Sequence, residues 1–223
     1  MNRSIVWRLI AKDLYLHRWL FAITIAGGFA AMFLNSREGV PDFVGILLLV
    51  TAVVAAGIFI AMFGVSIERQ TKTLLFVLSL PLSPMQYAVA KVAASLIGFL
   101  IPWGAIGVTL VGLTIAFDPP PDGTLPFTVA MMFFFLASFC ALLALLIATR
   151  SDAWPIAGIM LTNLSVAVYL NVVPRLPGFA ANNDGPVPVW SATALTTIGI
   201  EIAVIVLSLA IAFFVQAKRK DFV

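Results

Sequence analysis

The sequence predicts an all-α membrane protein with six transmembrane helices and both chain ends on the same side. Three observations carry that prediction. The 223 residues are 62% hydrophobic and only 10% charged, with a mean hydropathy of +1.10. Soluble domains carry about 45–50% apolar and about 25% charged residues, so the solvent for this surface must be lipid. The apolar residues fall into six separate runs rather than alternating strands, which points to helices that satisfy their own backbone. The 13 lysines and arginines are distributed very unevenly between the loops on the two sides.

In chain order, residues 1–18 read as an interfacial helix. Arg8, Lys12 and Tyr15 project to one side, and Ile5, Leu9 and Leu16 gather on the neighbouring one. Asp13 intrudes on the apolar side. The competing reading is a plain extension of the first span. The first apolar run covers 19–34 and is short, so its helix must start earlier. The others cover 43–65, 92–117, 125–148, 154–173 and 192–215, each near the 20 residues needed to cross a bilayer. The first run reads as a retained span, because 18 residues with an acidic group precede it and no small-x-small site follows Leu34.

The connections on one side are brief. Residues 35–42 form a turn, and Asp118-Pro119-Pro120-Pro121-Asp122-Gly123 is a rigid polar turn. The longest connection is 171–191, whose prolines argue against one long helix. Leu176 and Phe179 are placed to dip into the interface. With six spans, Arg3, Arg8, Lys12, Arg18, Arg69, Lys72, Lys91, Arg150, Lys218, Arg219 and Lys220 share one side, and only Arg37 and Arg175 lie on the other. That asymmetry makes both termini cytoplasmic. It also accounts for the net charge of +3 without nucleic acid as a partner. The whole chain, 1–223, reads as one transmembrane domain.

Few side chains offer chemistry. Cys140, the single cysteine, sits in an apolar run and reads as a packing residue. His17, the single histidine, reads as a headgroup-level polar residue rather than a metal ligand. These two and one buried glutamate are too scattered for an intramembrane enzyme or a metal site.

Between the second and third runs lies Ser66-Ile67-Glu68-Arg69-Gln70-Thr71-Lys72-Thr73-Leu74-Leu75-Phe76-Val77-Leu78-Ser79-Leu80-Pro81. Its front is polar and its rear is apolar. Pro81 and Pro84 end the helix and turn the chain back, and Glu68 near the start suits the helix dipole. A solvated linker has no use for so apolar a rear. A knob that fits a partner does.

The order Glu68, Thr73-Leu74, Leu78, Pro81, Tyr87 and Lys91 resembles the signature of ABC type-2 permeases, the membrane subunits of ABC transporters. The resemblance extends to the six-span plan, the N-terminal helix and the basic tail. Lys72 stands where that family often has glycine, and Leu75 where it often has an acidic residue. The resemblance implies that 66–84 is a cytoplasmic coupling helix, seated on a separate ATPase through Glu68, Arg69, Thr73, Leu74, Leu78 and Pro81. Glu68 then pairs with the ATPase, or with Arg8 or Lys12 of its own chain. It further implies a dimer of permease chains, of which a homodimer is the simplest, in a bacterial inner membrane. Two ATPase subunits would bind ATP and magnesium, and the task would be export. The chain itself holds no cofactor and has no G-x-x-x-x-G-K-[ST] loop, so it is a transport subunit rather than an enzyme.

Inside the spans, Glu201 stands out. It lies about 16 Å along the last helix from Trp190 at about 1.5 Å per residue, near mid-bilayer. A carboxyl there must face the protein interior, a cavity or a partner. Thr193, Thr197, Glu201 and Ser208 share a helical face. Two readings stand: a residue of the translocation path, or a hydrogen bond to a neighbouring helix, with Thr162, Asn163 and Ser165 as candidate partners. A gradient-driven secondary transporter or channel that uses Glu201 is the alternative to the ATP-driven reading. Gly57 and Ala61, Gly27-Gly28 and Gly98 read as close-packing positions. Pro102 reads as a kink in the third span. The run Phe133-Phe134-Phe135 reads as lipid-facing or packing bulk.

Overall fold

The computed structural model describes residues 3–35, 42–66, 84–116, 121–149 and 153–218. Among them every regular element is helical. Helix α1 is Arg3–Leu16, α2 Arg18–Asn35, α3 Asp42–Ala61, α4 Pro84–Ala116, α5 Leu125–Ala148, α6 Ala153–Val172, α7 Pro177–Ala180 and α8 Ala192–Lys218. Six of these regions are long and apolar enough to cross a membrane: 18–35, 44–65, 85–116, 122–148, 153–175 and 192–218. The fold therefore fits a multi-pass membrane protein, with the spans where the apolar runs predict them.

The boundaries move in two places. The first span starts at Arg18, which supplies the length its apolar run lacked. The third starts at Pro84, two turns before its apolar run. Proline suits a first turn because its missing N–H has no partner there in any helix. Tyr87 and Lys91 thus lie in the first turns of α4, at the entry to the third span. The helix stays helical through Pro102, which is itself buried.

Helix α5 is the axis of the bundle. Its apolar window is 72% buried, against 17–39% for the other five spans. It packs most extensively on α8 and also contacts α3, α4 and α6. The run of three phenylalanines belongs to this core rather than to the lipid face. Phe135 is buried, Phe134 stacks on Tyr169 at 3.9 Å, and Phe133 meets Trp103 edge-on at 6.2 Å. Cys140 is fully buried, as a packing residue should be.

Small residues let the other helices close on one another. A Cβ added at Gly28 would lie 2.6 Å from Ile106, and one at Gly98 would lie 3.0 Å from Phe21, so α2 and α4 meet through both. At Gly57 the near neighbour is Phe99, whose ring stacks on Phe139 at 4.2 Å.

The connection 173–191 is a packed cap on one end of the bundle. It contains a 3-10 turn, Val173–Arg175, and the four-residue α7. Phe179 turns into the protein and meets Phe127 edge-on, so it fills the core instead of reaching for the interface. Leu176 packs on the same core. The Gly123 N–H donates to the Gly185 carbonyl at 2.9 Å, which ties the proline turn to this cap. No larger residue fits at 123, where a Cβ would lie 2.0 Å from the Asn182 carbonyl oxygen. Ser191 caps α8 by accepting the Ala194 N–H at 3.2 Å.

Candidate functional site

Two polar centres interrupt the apolar packing, one near the N-terminal end of α4 and one between α6 and α8. The first is built on α1. Its buried residues Val6, Leu9, Ile10 and Asp13 fall at i, i+3, i+4 and i+7, a single helical stripe. The stripe packs on Ala90 and Ala94 of α4. Leu16, expected on the apolar side, is exposed, and Val6 and Ile10 take its place. Arg8, Lys12 and Tyr15 face outward, as expected.

Asp13 belongs to the buried stripe because its partner is there. The Lys91 ammonium donates to Asp13 Oδ2 at 2.6 Å, and both side chains are more than nine-tenths buried. Lys12 approaches the other carboxylate oxygen at 3.2 Å from the exposed side. The pair links α1 to α4 across 78 residues of sequence. A pair this deep is costly to halve: removing one partner takes from the other its buried counter-charge.

The elements around this pair are irregular. A π-helical turn, Met62–Ser66, ends the second span. Such turns often mark functional positions. Gly64 in it sits so close to Ser95 of α4 that an added Cβ would lie 2.7 Å from the hydroxyl oxygen. A void of about 10 Å³, room for one water, is lined by Asp13, His17, Gly64 and Ser95 among others. His17 is the one residue separating α1 from α2. The i-to-i−4 backbone bonds run across it, from the His17 N–H to Asp13 and from the Phe21 N–H to His17. Its ring Nδ1 also lies 2.7 Å from the Asp13 carbonyl oxygen.

The second centre is Glu201. It is 5% exposed, and the Tyr169 hydroxyl donates to its Oε1 at 2.7 Å. Its Oε2 is buried with no hydrogen-bond partner among the described residues. Phe134 covers the Tyr169 ring, so α5, α6 and α8 all contribute to the centre.

The predicted partners of Glu201 are not its partners. Asn163 is exposed and donates to the Ile159 carbonyl of its own helix at 2.9 Å. Thr162 bonds to Gly158 and Ser165 to Thr162, also within α6. In an apolar setting each takes the nearest carbonyl acceptor, one turn back. Thr197 likewise bonds back to the Thr193 carbonyl at 2.8 Å, and Thr193 lies against Gly178 of the cap. These two threonines are half-buried and flank the face that carries Glu201. The buried stripe of α8 is instead Ala194, Glu201, Ser208, Ala212 and Gln216.

Sequence reasoning missed Tyr169, the Asp13–Lys91 pair and the burial of Gln216. An acidic residue inside an apolar helical stripe was the signal for Asp13. Tyr169 carried no comparable mark. Glu68, Arg69, Thr73, Leu74, Leu78 and Pro81 lie outside the described residues. Among the described residues no cluster of three or more histidine, cysteine or acidic side chains could hold a metal ion. Comparison with known proteins finds no match to this chain among protein-family models, curated proteins or solved structures.

Proposed function

We propose that this chain is the membrane-spanning permease subunit of an ATP-driven ABC transporter, working as an exporter. In this reading both termini are cytoplasmic, and the membrane is a bacterial inner membrane. Two permease chains, most simply identical, form the path. Two separate ATPase subunits bind ATP and magnesium. The segment 66–84 is the coupling helix, and α1 lies at the cytoplasmic face.

The observation that carries the reading is the position of Lys91. It closes the sequence pattern that resembles type-2 permeases, and its ammonium is bound to Asp13 of α1. Segment 66–84 enters from the end of the second span and leaves directly into α4. A push on it therefore reaches α4, and through the buried pair it reaches α1 as well. Force transmission needs a rigid joint, and a buried ion pair with a packed apolar stripe beside it supplies one. Among the described residues, the voids beside Phe99 and beside Asp13 hold about 10 Å³ each. Neither admits a substrate, so the path is assigned to the space between two chains. The thin connections between spans leave little room to capture a soluble ligand, which favours an amphipathic cargo.

The test is co-purification with candidate ATPase subunits from the same genome. The wild-type chain should retain one in detergent, and the Glu68→Ala, Leu78→Asp double variant should lose it. Retention by both, or by neither, counts against the coupling role.

The unpaired Oε2 of Glu201 favours a second reading, a gradient-driven transporter in which that carboxyl binds the coupling ion. It predicts flux without any ATPase, abolished by Glu201→Gln.

A further inference from the structure

We infer that one edge of α6 is the contact between two copies of this chain, with Asn163 of each copy hydrogen-bonded to Asn163 of the other across a two-fold axis. Helix α6 has 20 residues and Asn163 stands at its middle, about 15 Å from either end at about 1.5 Å per residue. In a hydrocarbon core of about 30 Å, that is the midplane. The side chain is exposed there. Among the described residues it is the one amide or charged side chain exposed in the middle of a span.

Its amide is only half used. The Nδ2 group donates to the Ile159 carbonyl at 2.9 Å. A carbonyl can only accept, so this bond also fixes which end of the amide faces it. The second N–H and the Oδ1 acceptor are left over, with no partner among the described residues. The exposed threonines Thr51 and Thr196 show the contrast. A hydroxyl has a single hydrogen, and each gives it to a carbonyl one turn back, at 2.7 and 2.8 Å. Asparagine has two, and its own helix takes only one. Lipid offers neither a donor nor an acceptor, so the remainder is costly unless another protein surface answers it.

The neighbours of Asn163 form a seam. Along one edge of α6, Ile156, Met160, Asn163 and Ala167 follow one another at spacings of four, three and four, as along a helix–helix contact. All four are exposed, and Asn171 continues the line one turn on. The other exposed edge carries Trp154, Leu161, Val168 and Val172, which are bulky and apolar, as contact with hydrocarbon requires. The inner face, with Pro155, Gly158, Val166 and Tyr169, is buried in the bundle. The small Ala167 beside Asn163 lets a second backbone come close enough for the amides to meet.

The leftover groups decide the occupant. One donor and one acceptor on the same amide complement each other. A two-fold axis sets a residue opposite itself, so two Asn163 amides exchange two hydrogen bonds and each supplies what the other lacks. An asparagine on such a seam also fixes register and partner number, because a slip leaves both amides unpaired.

The inference rests on the two-chain arrangement of the proposed function, but not on ATP as its energy source. The full-length chain is tested in membranes, with cysteines introduced one at a time. The native thiol, Cys140, is fully buried and serves as the blank. Met160→Cys and Ala167→Cys lie on the seam and keep the amide. Leu161→Cys and Val168→Cys lie on the other edge. Oxidation with copper phenanthroline should link the first two into disulfide dimers and leave the second two as monomers. Self-association in lipid vesicles, read by energy transfer between labelled chains, is the second measurement. Asn163→Leu should weaken it by about tenfold, for two interchain bonds of the strength found in membrane bundles. Asn163→Gln keeps an amide and should lose less.

Equal cross-linking at both edges overturns the seam. Association of Asn163→Leu as tight as that of the wild type overturns the amide pair. Chains that associate without cross-linking at the seam sink this inference and leave the two-chain reading standing. Chains that stay monomeric at every lipid dilution sink both.

Discussion

Glu201 accepts one hydrogen bond from Tyr169 and has no partner for its second oxygen among the described residues. The tyrosine hydroxyl is therefore the group that makes the carboxyl tolerable at this depth. Tyr169→Phe removes the donor and should cost about 1 kcal/mol, a typical figure for one such bond within a membrane bundle. Glu201→Gln keeps an acceptor oxygen for Tyr169 and should cost less. Thermal unfolding of the purified variants in detergent checks the order, and equal losses would remove Tyr169 from the account. Gly64 gives a second single-residue outcome. Gly64→Ala pushes a methyl group to 2.7 Å from Ser95 Oγ and should lower the melting temperature. Adding Ser95→Ala removes the obstructing oxygen and should restore much of the loss. A double variant no better than the single would mean that the π-helical turn itself excludes alanine.

At the scale of elements, the joint between α1 and α4 sets the expectation. Either Asp13→Asn or Lys91→Met alone leaves one buried group without its counterpart and should destabilise by about 3–5 kcal/mol. Asp13→Leu with Lys91→Met leaves neither charge and should be more stable than either single variant. Denaturation of the four proteins measures this, and additive losses would show that the pair is not coupled. The sequence announced part of this joint. The amphipathic N-terminal helix and its outward Arg8, Lys12 and Tyr15 were legible, because side chains three and four apart share a face. The partner of Asp13 was not, because it lies 78 residues away and no local pattern encodes it. Glu201 was legible for the opposite reason, since one carboxyl in an apolar run stands out by itself. Its partner was misread. Thr162, Asn163 and Ser165 looked available, yet each satisfies itself on its own helix, and a phenol from farther along α6 makes the bond.

At the scale of the whole molecule, the six spans followed from apolar run length, which a bilayer enforces almost without regard to packing. The arrangement of the spans did not follow, because in lipid every helix is apolar on all sides. Nothing in its composition marks α5 as the axis. The structure shows it in the stack of Phe99 on Phe139 and the burial of Phe135 and Cys140. Among the described residues the voids beside Phe99 and beside Asp13 are about the size of one water, and the proposed function assigns the path for a cargo's crossing to an interface between chains. Whether ATP hydrolysis on a partner drives that crossing is the central question. The most direct measurement is ATP hydrolysis by a candidate ATPase reconstituted with this chain in sealed vesicles whose ion gradients have been collapsed. The account predicts that the chain changes the rate of hydrolysis and that the Glu68→Ala, Leu78→Asp variant abolishes the change. If no ATPase responds to the chain, while flux through it requires a gradient and is lost in Glu201→Gln, the ATP-driven account is contradicted.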